Sequence, residues 1–395
     1  GVVYTNLKGY AKITLEKGDY ILTASRGAEY SIDQANIDLT KSQNAKQNFY
    51  ITKEVNTAGW LSADTHIHTL THSGHGDANM DERILTLAGD HTEIAISTDH
   101  DKQIDYKPTM RKHGVRHQYI NIIGNEVSTP IGHFNAFPLP GSGPVPDSKI
   151  TNWDALDQEI REKGAEVIIL NHPRWPSYEK GPFGVEGLSE NGTFDSGIDL
   201  KVNVIELINS DDEASPFDIS IKDWFAILNT GKKIFAAGSS DSHEVYVPTS
   251  YGRTWVKSKT DFVHLAKLED IYTNIRDGHS SAALGLFGEV TINEKGPGET
   301  IKQNGNALIL KCRLAHASWA NVHTMEVYIN GEIFKKINIK GTEGPFDETF
   351  EINLKNINED SWVTCVAYGE RPTGYWWACE FPELYFASNP IFIKP

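Results

Sequence analysis

The sequence predicts an α/β protein: a barrel of alternating strands and helices between an N-terminal β-rich stretch and a C-terminal β-sandwich. Three observations carry this expectation. Between residues 58 and about 288, short apolar runs alternate with amphipathic segments, the pattern of a parallel sheet covered by helices. On either side, short alternating stretches are broken at Gly and Asn, as strands are. Finally, six of the apolar runs end in side chains of metal-ligand type, and a barrel gathers its strand ends on one face.

Taken in order, residues 1–57 form the N-terminal β-rich domain, with strands expected in "AKITLEKGDYILTAS" and "QNFYITKEV". Residues 58–288 form the barrel. Its strands are expected at "EIAIS", "YINIIG", "EVIIL", "VNVIEL" and "KIFAAG". Helices are expected at "MDERILTLAG", "WDALDQEIREKG" and "IKDWFAILNTG", where apolar residues recur at helical spacing. The tract "PLPGSGPVP" at 138–146 reads as a surface loop, because the alternation resumes beyond it. Residues 289–395 turn to strands again in "ALILKCRL", "TMEVYING", "ETFEINL" and "SWVTCVAYG", with turns at "NEKGPG" and "GTEGP". No internal repeat or low-complexity tract interrupts the pattern.

Composition narrows the function classes. The 395 residues carry 37 Lys plus Arg against 53 Asp plus Glu, a formal net charge of -16. Such a surface repels a nucleic-acid duplex and offers no general attraction to anionic membranes, so a small-molecule substrate is expected, bound as an anion in a local site. No apolar run approaches the roughly 18 residues that span a bilayer. Cys312, Cys365 and Cys379 lie without CxxC spacing and read as buried thiols, with at most one disulfide. The chain begins at Gly1, and an exported protein whose leader has been removed is expected, with a cytoplasmic one as the alternative. The oligomeric state is not legible.

The chemistry concentrates at the ends of the apolar runs. "DTHIH" carries His66 and His68, "TDH" carries Asp99 and His100, and "GNE" carries Glu126. "NHPR" carries His172, "VIELIN" carries Glu206 and Asn209, and "SSDSH" carries Asp241 and His243. Imidazole and carboxylate together suit Zn, Mn or Fe. In an extended strand His66 and His68 point to the same side and serve one metal or two neighbouring ones. The histidines at 91, 113, 117, 264, 279, 316 and 323 lie outside this pattern and read as ordinary hydrogen-bonded residues. "GPGE" and "GLFGE" lack the strand and helix context of a dinucleotide site and read as turns. The aromatic tract "YGERPTGYWWACEFPELYF" reads as sandwich core or interface in preference to a sugar platform.

The ordered motifs "DTHIHT", "ISTDH", "GNEVS", "GHFNAF", "NHP" and "GSSDSH" resemble those of the polymerase-and-histidinol-phosphatase (PHP) superfamily. The flanking "GDYILTASRGAEYSID", "SGHGD", "YGRTWV" and "ASNPIFI" are similar to its CehA/McbA branch of metallohydrolases. The resemblance implies a distorted (β/α)7 barrel with an N-terminal β-rich extension and two or three divalent metal ions. It implies that His66 and His68 hold one metal with Asp241, and that Glu126 bridges metals. His133 and His172 would hold a second, and His100 and His243 a third with one residue of the "HSGHGD" loop. The usual loop ligand stands seven or eight residues after the first histidine, where this chain has Ser73 and Gly74. His75 is therefore expected in that role, with Asp77 in reserve and His72 supporting the loop. Asp64 and Asp99 are expected to fix imidazole tautomers.

Divalent ions lower the pKa of bound water toward about 7, so a metal-bound hydroxide is the expected nucleophile. Arg174 and Arg253 are expected to hold a substrate anion in their planar forks, with a surface ion pair as the alternative for each. Asn171, Asn209 and Ser240 are expected to orient ligands or substrate. The leading expectation is a phosphoesterase acting on a small phosphate mono- or diester. A metal-dependent hydrolase of a carbamate, ester or amide is the alternative, and a non-catalytic binding protein on the same scaffold comes third.

Overall fold

In the computed structural model, residues 1–41, 44–211, 216–303, 307–341, 344–355, 357–371 and 383–394 are described. The N-terminal residues form the antiparallel pair β1 (Asp19–Ala24) and β2 (Asp33–Asp38). Residues 47–55 make only a single bridge, Lys53 with Tyr30, so that expected strand is absent. The polar "DQANID" pairs in its place, because half-exposed positions need little apolar content to complete a ladder.

The apolar runs of the middle region are strands, short and mostly buried. Their order is β3 (Trp60–Asp64), β4 (Ile94–Ser97), β5 (Ile120–Ile123), β6 (Asn125–Thr129), β7 (Gly132–Phe137), β8 (Val167–Leu170), β9 (Val204–Asn209), β10 (Phe235–Ser239), β11 (Gly252–Lys257) and β12 (Ser280–Leu284). Helices lie between them: α1 (Leu70–Ser73), α2 (Met80–Gly89), α3 (Lys107–Lys112), α4 (Trp153–Glu162), α5 (Pro182–Val185), α6 (Phe217–Asn229) and α7 (Leu268–Arg276). Asn79 caps α2 in a capping box with Glu82, and Asn152 caps α4, which sets where each helix starts.

Strands β3, β4 and β5 are parallel neighbours, as are β8, β9 and β10. The expected parallel order breaks at β6 and β7, which form an antiparallel hairpin. Only Pro130 and Ile131 separate them, too few residues for a crossover. Single bridges join the two strand groups at their ends, Ile67 with Ser242 and His100 with Glu126. Leu61, Ile94, Ile122, Val167, Val204 and Phe235 pack together between these strands.

The remaining strands are β13 (Phe287–Ile292), β14 (Thr300–Lys302), β15 (Leu308–His316), β16 (Asn321–Ile329), β17 (Glu332–Asn338), β18 (Phe346–Leu354), β19 (Ser361–Glu370), β20 (Glu383–Ser388) and β21 (Ile391–Lys394). Strands β13, β15 and β18 make one antiparallel sheet. The others continue the sheet of β3, because β12 pairs antiparallel with β20. Cys312 and Cys365 are buried free thiols in the core these sheets share. Cys379 and positions 372–382 of the aromatic tract lie outside the described residues. The fold is therefore mixed α/β, with many strands and few helices. No helix among the described residues is long and apolar enough to cross a membrane.

Candidate metal centre

Strand ends bring nine ionisable side chains to one place. His66 and His68 lie just past β3, His100 past β4, Glu126 on β6 and His133 on β7. His172 lies just past β8, Glu206 is on β9, and Asp241 and His243 lie past β10. The hairpin of β6 and β7 sets His133 diagonally across from Glu126, since Ser128 pairs with His133 and Glu126 with Asn135.

Glu126 is the hub. Its Oε1 lies 3.2 Å from His66 Nε2, 3.1 Å from His133 Nδ1 and 3.5 Å from His172 Nε2. Its Oε2 lies 3.3 Å from His68 Nε2 and 2.7 Å from His100 Nδ1. Asp241 Oδ1 lies 3.1 Å from both His66 Nε2 and His68 Nε2. Four overlapping groups present ligand atoms within 4.8 Å of one another: His68, His100 and His243; His66, His172 and Asp241; His66, His68 and Glu126; His100, Glu126 and His133. Each can hold a metal ion.

The buried atoms of this cluster test that fit. His68 Nε2, His243 Nε2, Glu126 Oε2 and Asp241 Oδ1 are all buried without a hydrogen-bond partner. Four orphaned acceptors or donors in one place would be costly. Divalent cations are the natural occupants, because neutral imidazole and carboxylate both offer lone pairs.

Surrounding groups aim those lone pairs inward. Glu206 Oε1 lies 2.9 Å from His66 Nδ1, so with Nδ1 protonated the Nε2 lone pair faces the centre. Glu206 Oε2 accepts from the His172 backbone N–H at 2.7 Å and from Asn209 Nδ2 at 3.1 Å. Asn209 Nδ2 also donates to Asp241 Oδ2 at 3.1 Å. His243 Nδ1 meets the Asp241 carbonyl at 2.8 Å, again leaving Nε2 free. His68 Nδ1 meets the Ser73 hydroxyl at 3.0 Å, and that hydroxyl donates to Asp99 Oδ1 at 2.9 Å. His172 and Asp241 hold positive φ of 25° and 54°, an uncommon conformation that the bonds from their backbone N–H groups to Glu206 and to the His66 carbonyl sustain.

Electrostatics divides the histidines. Burial works against charge on His66, yet Asp241, Glu126 and Glu206 outweigh it and hold its pKa well above the ordinary range. Burial, with His243 beside it, pushes His68 well down. His243 falls to about 3 through burial and the neighbouring His75 and His66. Burial pushes Asp241 up to about 6 despite His66 and His172.

The loop residues separate. The His75 ring stacks 4.4 Å from that of His243 and 5.0 Å from that of His100. Asp77 accepts from the Val245 N–H at 2.6 Å and so ties the loop to the segment after His243. Gly76, at φ +79°, passes so close to His243 that a Cβ would lie 2.5 Å from its carbonyl oxygen. His72 closes the first turn of α1 through its backbone N–H to Thr69.

Three expectations need correction. Arg174 is 1 % exposed, and its three nitrogens are engaged by Asp223 at 2.7 and 2.8 Å and by the Tyr178 carbonyl at 3.2 Å. No fork remains for a substrate. Arg253 is fully buried against Gly27 on the N-terminal residues, its three guanidinium nitrogens make no hydrogen bond to a described residue, and Glu29 lies 4.0 Å away, so its fork is not presented at the surface. Asp64 bonds no imidazole, whereas Asp99 acts on one through the Ser73 hydroxyl. Asp64 accepts from the backbone of His66, Ser240 and Ser250 and from the Ser240 hydroxyl. Asp99 accepts from Thr69, Ser73 and Tyr106, and reaches His68 through Ser73.

Three residues are drawn in that the expected ligand set left out. Glu206 had a signal, a carboxylate inside an apolar run. Arg83 had none: it is fully buried on α2 and donates to the carbonyls of His68 at 2.8 Å and Ser242 at 2.9 Å. Trp175 follows the cluster in the turn closed by its N–H to the His172 carbonyl at 2.8 Å. Its ring lies 5.3 Å from that of His172 and 5.6 Å from that of His133. Asn171 Nδ2 donates to Glu126 Oε1 at 3.0 Å.

No family model matches the sequence, and no curated protein matches it. Among solved structures, the chain is similar to a two-domain protein from Bacteroides vulgatus, described as containing a predicted PHP-like metal-dependent phosphoesterase. The two share 16% sequence identity with a TM-score of 0.43, over 87% of this chain and 100% of the other.

Proposed function

We propose that this chain is a metal-dependent hydrolase of the PHP type, with a small phosphate mono- or diester as substrate. The observation that carries this reading is the convergence of four orphaned buried ligand atoms on Glu126 and Asp241. The order of the motifs along the chain supports the superfamily, and the flanking motifs support its CehA/McbA branch. We further assign a distorted seven-stranded barrel followed by a β-sandwich. The two single bridges that join the strand groups support the barrel, and the shared core of the later sheets supports the sandwich.

Two or three divalent ions held there would supply an activated water and electrophilic support at a phosphoryl or acyl oxygen. The side chains have the following parts. His66, His68, Glu126 and Asp241 would hold one ion, with Glu126 reaching toward a second beside His133 and His172. His100 and His243 would hold a third, with His75 above them. Glu206 orients His66 and the His172 backbone, and Asn209 couples Glu206 to Asp241. Ser73 and Asp99 orient His68.

A second reading is favoured by one observation: the Arg174 fork is engaged by Asp223 and that of Arg253 is fully buried, so neither is presented to a substrate. A substrate with little negative charge, such as a carbamate, ester or amide, needs none. The test is turnover by protein loaded with Mn or Zn on nitrophenyl phosphate, a nitrophenyl phosphate diester and an aryl carbamate. His68→Ala should abolish the activity and lose at least one metal equivalent by elemental analysis. Full activity in that variant would show that the site lies elsewhere.

A further inference from the structure

Cys312 on β15 and Cys365 on β19 are fully buried free thiols, far apart in the chain and together in one core. Strand β15 belongs to the three-stranded sheet of β13, β15 and β18. Strand β19 belongs to the large sheet that continues through β20 and β12 to β3. Backbone register shows that the two side chains face each other.

Where the sheets pack, Gly288 of β13 lies against the Phe386 ring of β20, and a Cβ on that glycine would stand 2.5 Å from it. Phe386 pairs with Ala367 of β19, so both point toward β13. Cys365 is two residues from Ala367 on the same strand and shares that face. On the other sheet, Val290 is two residues beyond Gly288, and its partner in register is Cys312. The alternation along β15 agrees, with Leu310, Cys312 and Leu314 buried and Ile309 and Lys311 exposed. Each cysteine therefore stands one strand period from the same crossing point, on the inner face of its sheet. There the Cys312 thiol hydrogen-bonds that of Cys365, and this bond together with burial pushes the Cys365 pKa well above the ordinary range.

We propose that Cys312 and Cys365 form a disulfide that fastens the two sheets to each other when the chain folds in an oxidising compartment. The oxidant is an external disulfide, RSSR. One cysteine thiolate attacks it and releases the first RSH. The second cysteine then displaces the other R–S group, so two thiols and RSSR give one S–S bond and two RSH. A buried thiol with a raised pKa is a poor nucleophile, so the bond forms before the sheets close over the pair. Once formed, it limits the freedom of the unfolded chain, and the long stretch between the two residues makes that effect large.

The test starts from the full chain, unfolded and refolded with reduced and oxidised glutathione, beside a sample refolded in excess dithiothreitol. Thiols titrated in denaturant should fall from three to one on oxidative refolding. Mass spectrometry of the unreduced digest should recover one cross-linked peptide pair, holding Cys312 and Cys365. The oxidised protein should unfold at a higher denaturant midpoint, and reduction should remove that shift. C365A should have the same midpoint under both refolding conditions, and C379S should keep the difference. None of these readouts involves the metal centre, so they stand whether or not an ester is turned over. Three free thiols, a linkage to Cys379, or glutathione held on either residue as a mixed disulfide overturns the pairing, with no variant needed. A bond between Cys312 and Cys365 that leaves the midpoint unchanged overturns its fastening role.

Discussion

At the scale of single residues, the centre depends on carboxylates that hold histidines still. Glu206 is the clearest case, because one side chain orients the His66 ring, the His172 backbone and Asn209 together. In Glu206→Gln the size is kept but the charge that fixes the His66 tautomer is lost. Metal affinity should fall about 10- to 100-fold, measured by competition with a chelator of known strength. Unchanged affinity would mean that His66 is oriented by something else. A carboxylate in "VIEL" was legible as a polar residue at a strand end, although its partners were not. Arg174 and Arg253 show the opposite failure. Both stand close in sequence to ligand-type residues, yet parts distant in the chain decide where their guanidinium groups go: Asp223 binds that of Arg174, and that of Arg253 is buried against Gly27.

Between elements, the ligand-bearing segments after β3 and β10 are clamped together by α2. Arg83 bonds the carbonyls of His68, Ser242 and Glu244; without it the buried His68 carbonyl loses this partner, while Ser242 keeps the His68 N–H and Glu244 the Ser242 hydroxyl. Arg83→Met should therefore destabilise the protein by roughly 1–3 kcal/mol in denaturant unfolding, with loosened metal binding. A variant as stable as the wild type would show that water replaces the guanidinium without cost. The loop before α2 is held in the same way. Its Gly76 passes against the His243 carbonyl, and Asp77 and Ala78 donate their N–H groups to that oxygen. Gly76→Val should disturb His243 first, and loss of metal from the His68, His100 and His243 group is the expected signature by elemental analysis. The periodicity of α2 was readable in "MDERILTLAG", but an arginine on its apolar face carries no local sign of its target.

Over the whole molecule, the N-terminal residues are joined to the middle region by buried charges whose balance depends on pH. Asp90 accepts from Tyr4, 86 positions earlier, and from Thr249, and burial pushes its pKa up to about 6. A raised carboxyl pKa means that the folded chain binds more protons than the unfolded one between about pH 4 and 6. The contribution of Asp90 is thus fully present below the unfolded value and is lost as pH rises through about 6. Relative to Asp90→Asn, the wild type should lose up to about 3 kcal/mol of stability between pH 4 and 7, read from paired denaturant titrations. Parallel profiles in the two proteins would contradict the assignment. Glu29 acts in the opposite sense. His91, Lys53 and Arg253 outweigh its burial and hold its pKa well below the usual range, so its contribution is lost on acidification in both proteins. Metal binding should add to the same balance. Chelator-treated protein should unfold at lower denaturant than protein with metal at 100 times its Kd, by about 2.7 kcal/mol for each ion that binds only the folded state.

What the sequence by itself determined is five of the ten strands of the middle region, β4, β5, β8, β9 and β10, and the chemical types at their ends. Short buried strands must be continuous apolar runs, and a ligand pair two residues apart keeps one face. Only the tertiary structure decided which ends meet. Glu126 became the hub because a two-residue turn folds β7 back on β6, and Asp241 faces His66 because a single bridge joins Ile67 to Ser242. The join between β12 and β20 likewise depends on backbone pairing between residues about a hundred positions apart. Local pattern reports which residues prefer burial. It carries no record of the long-range partner that each buried polar group finds, and those partners set both the metal centre and the fate of its arginines.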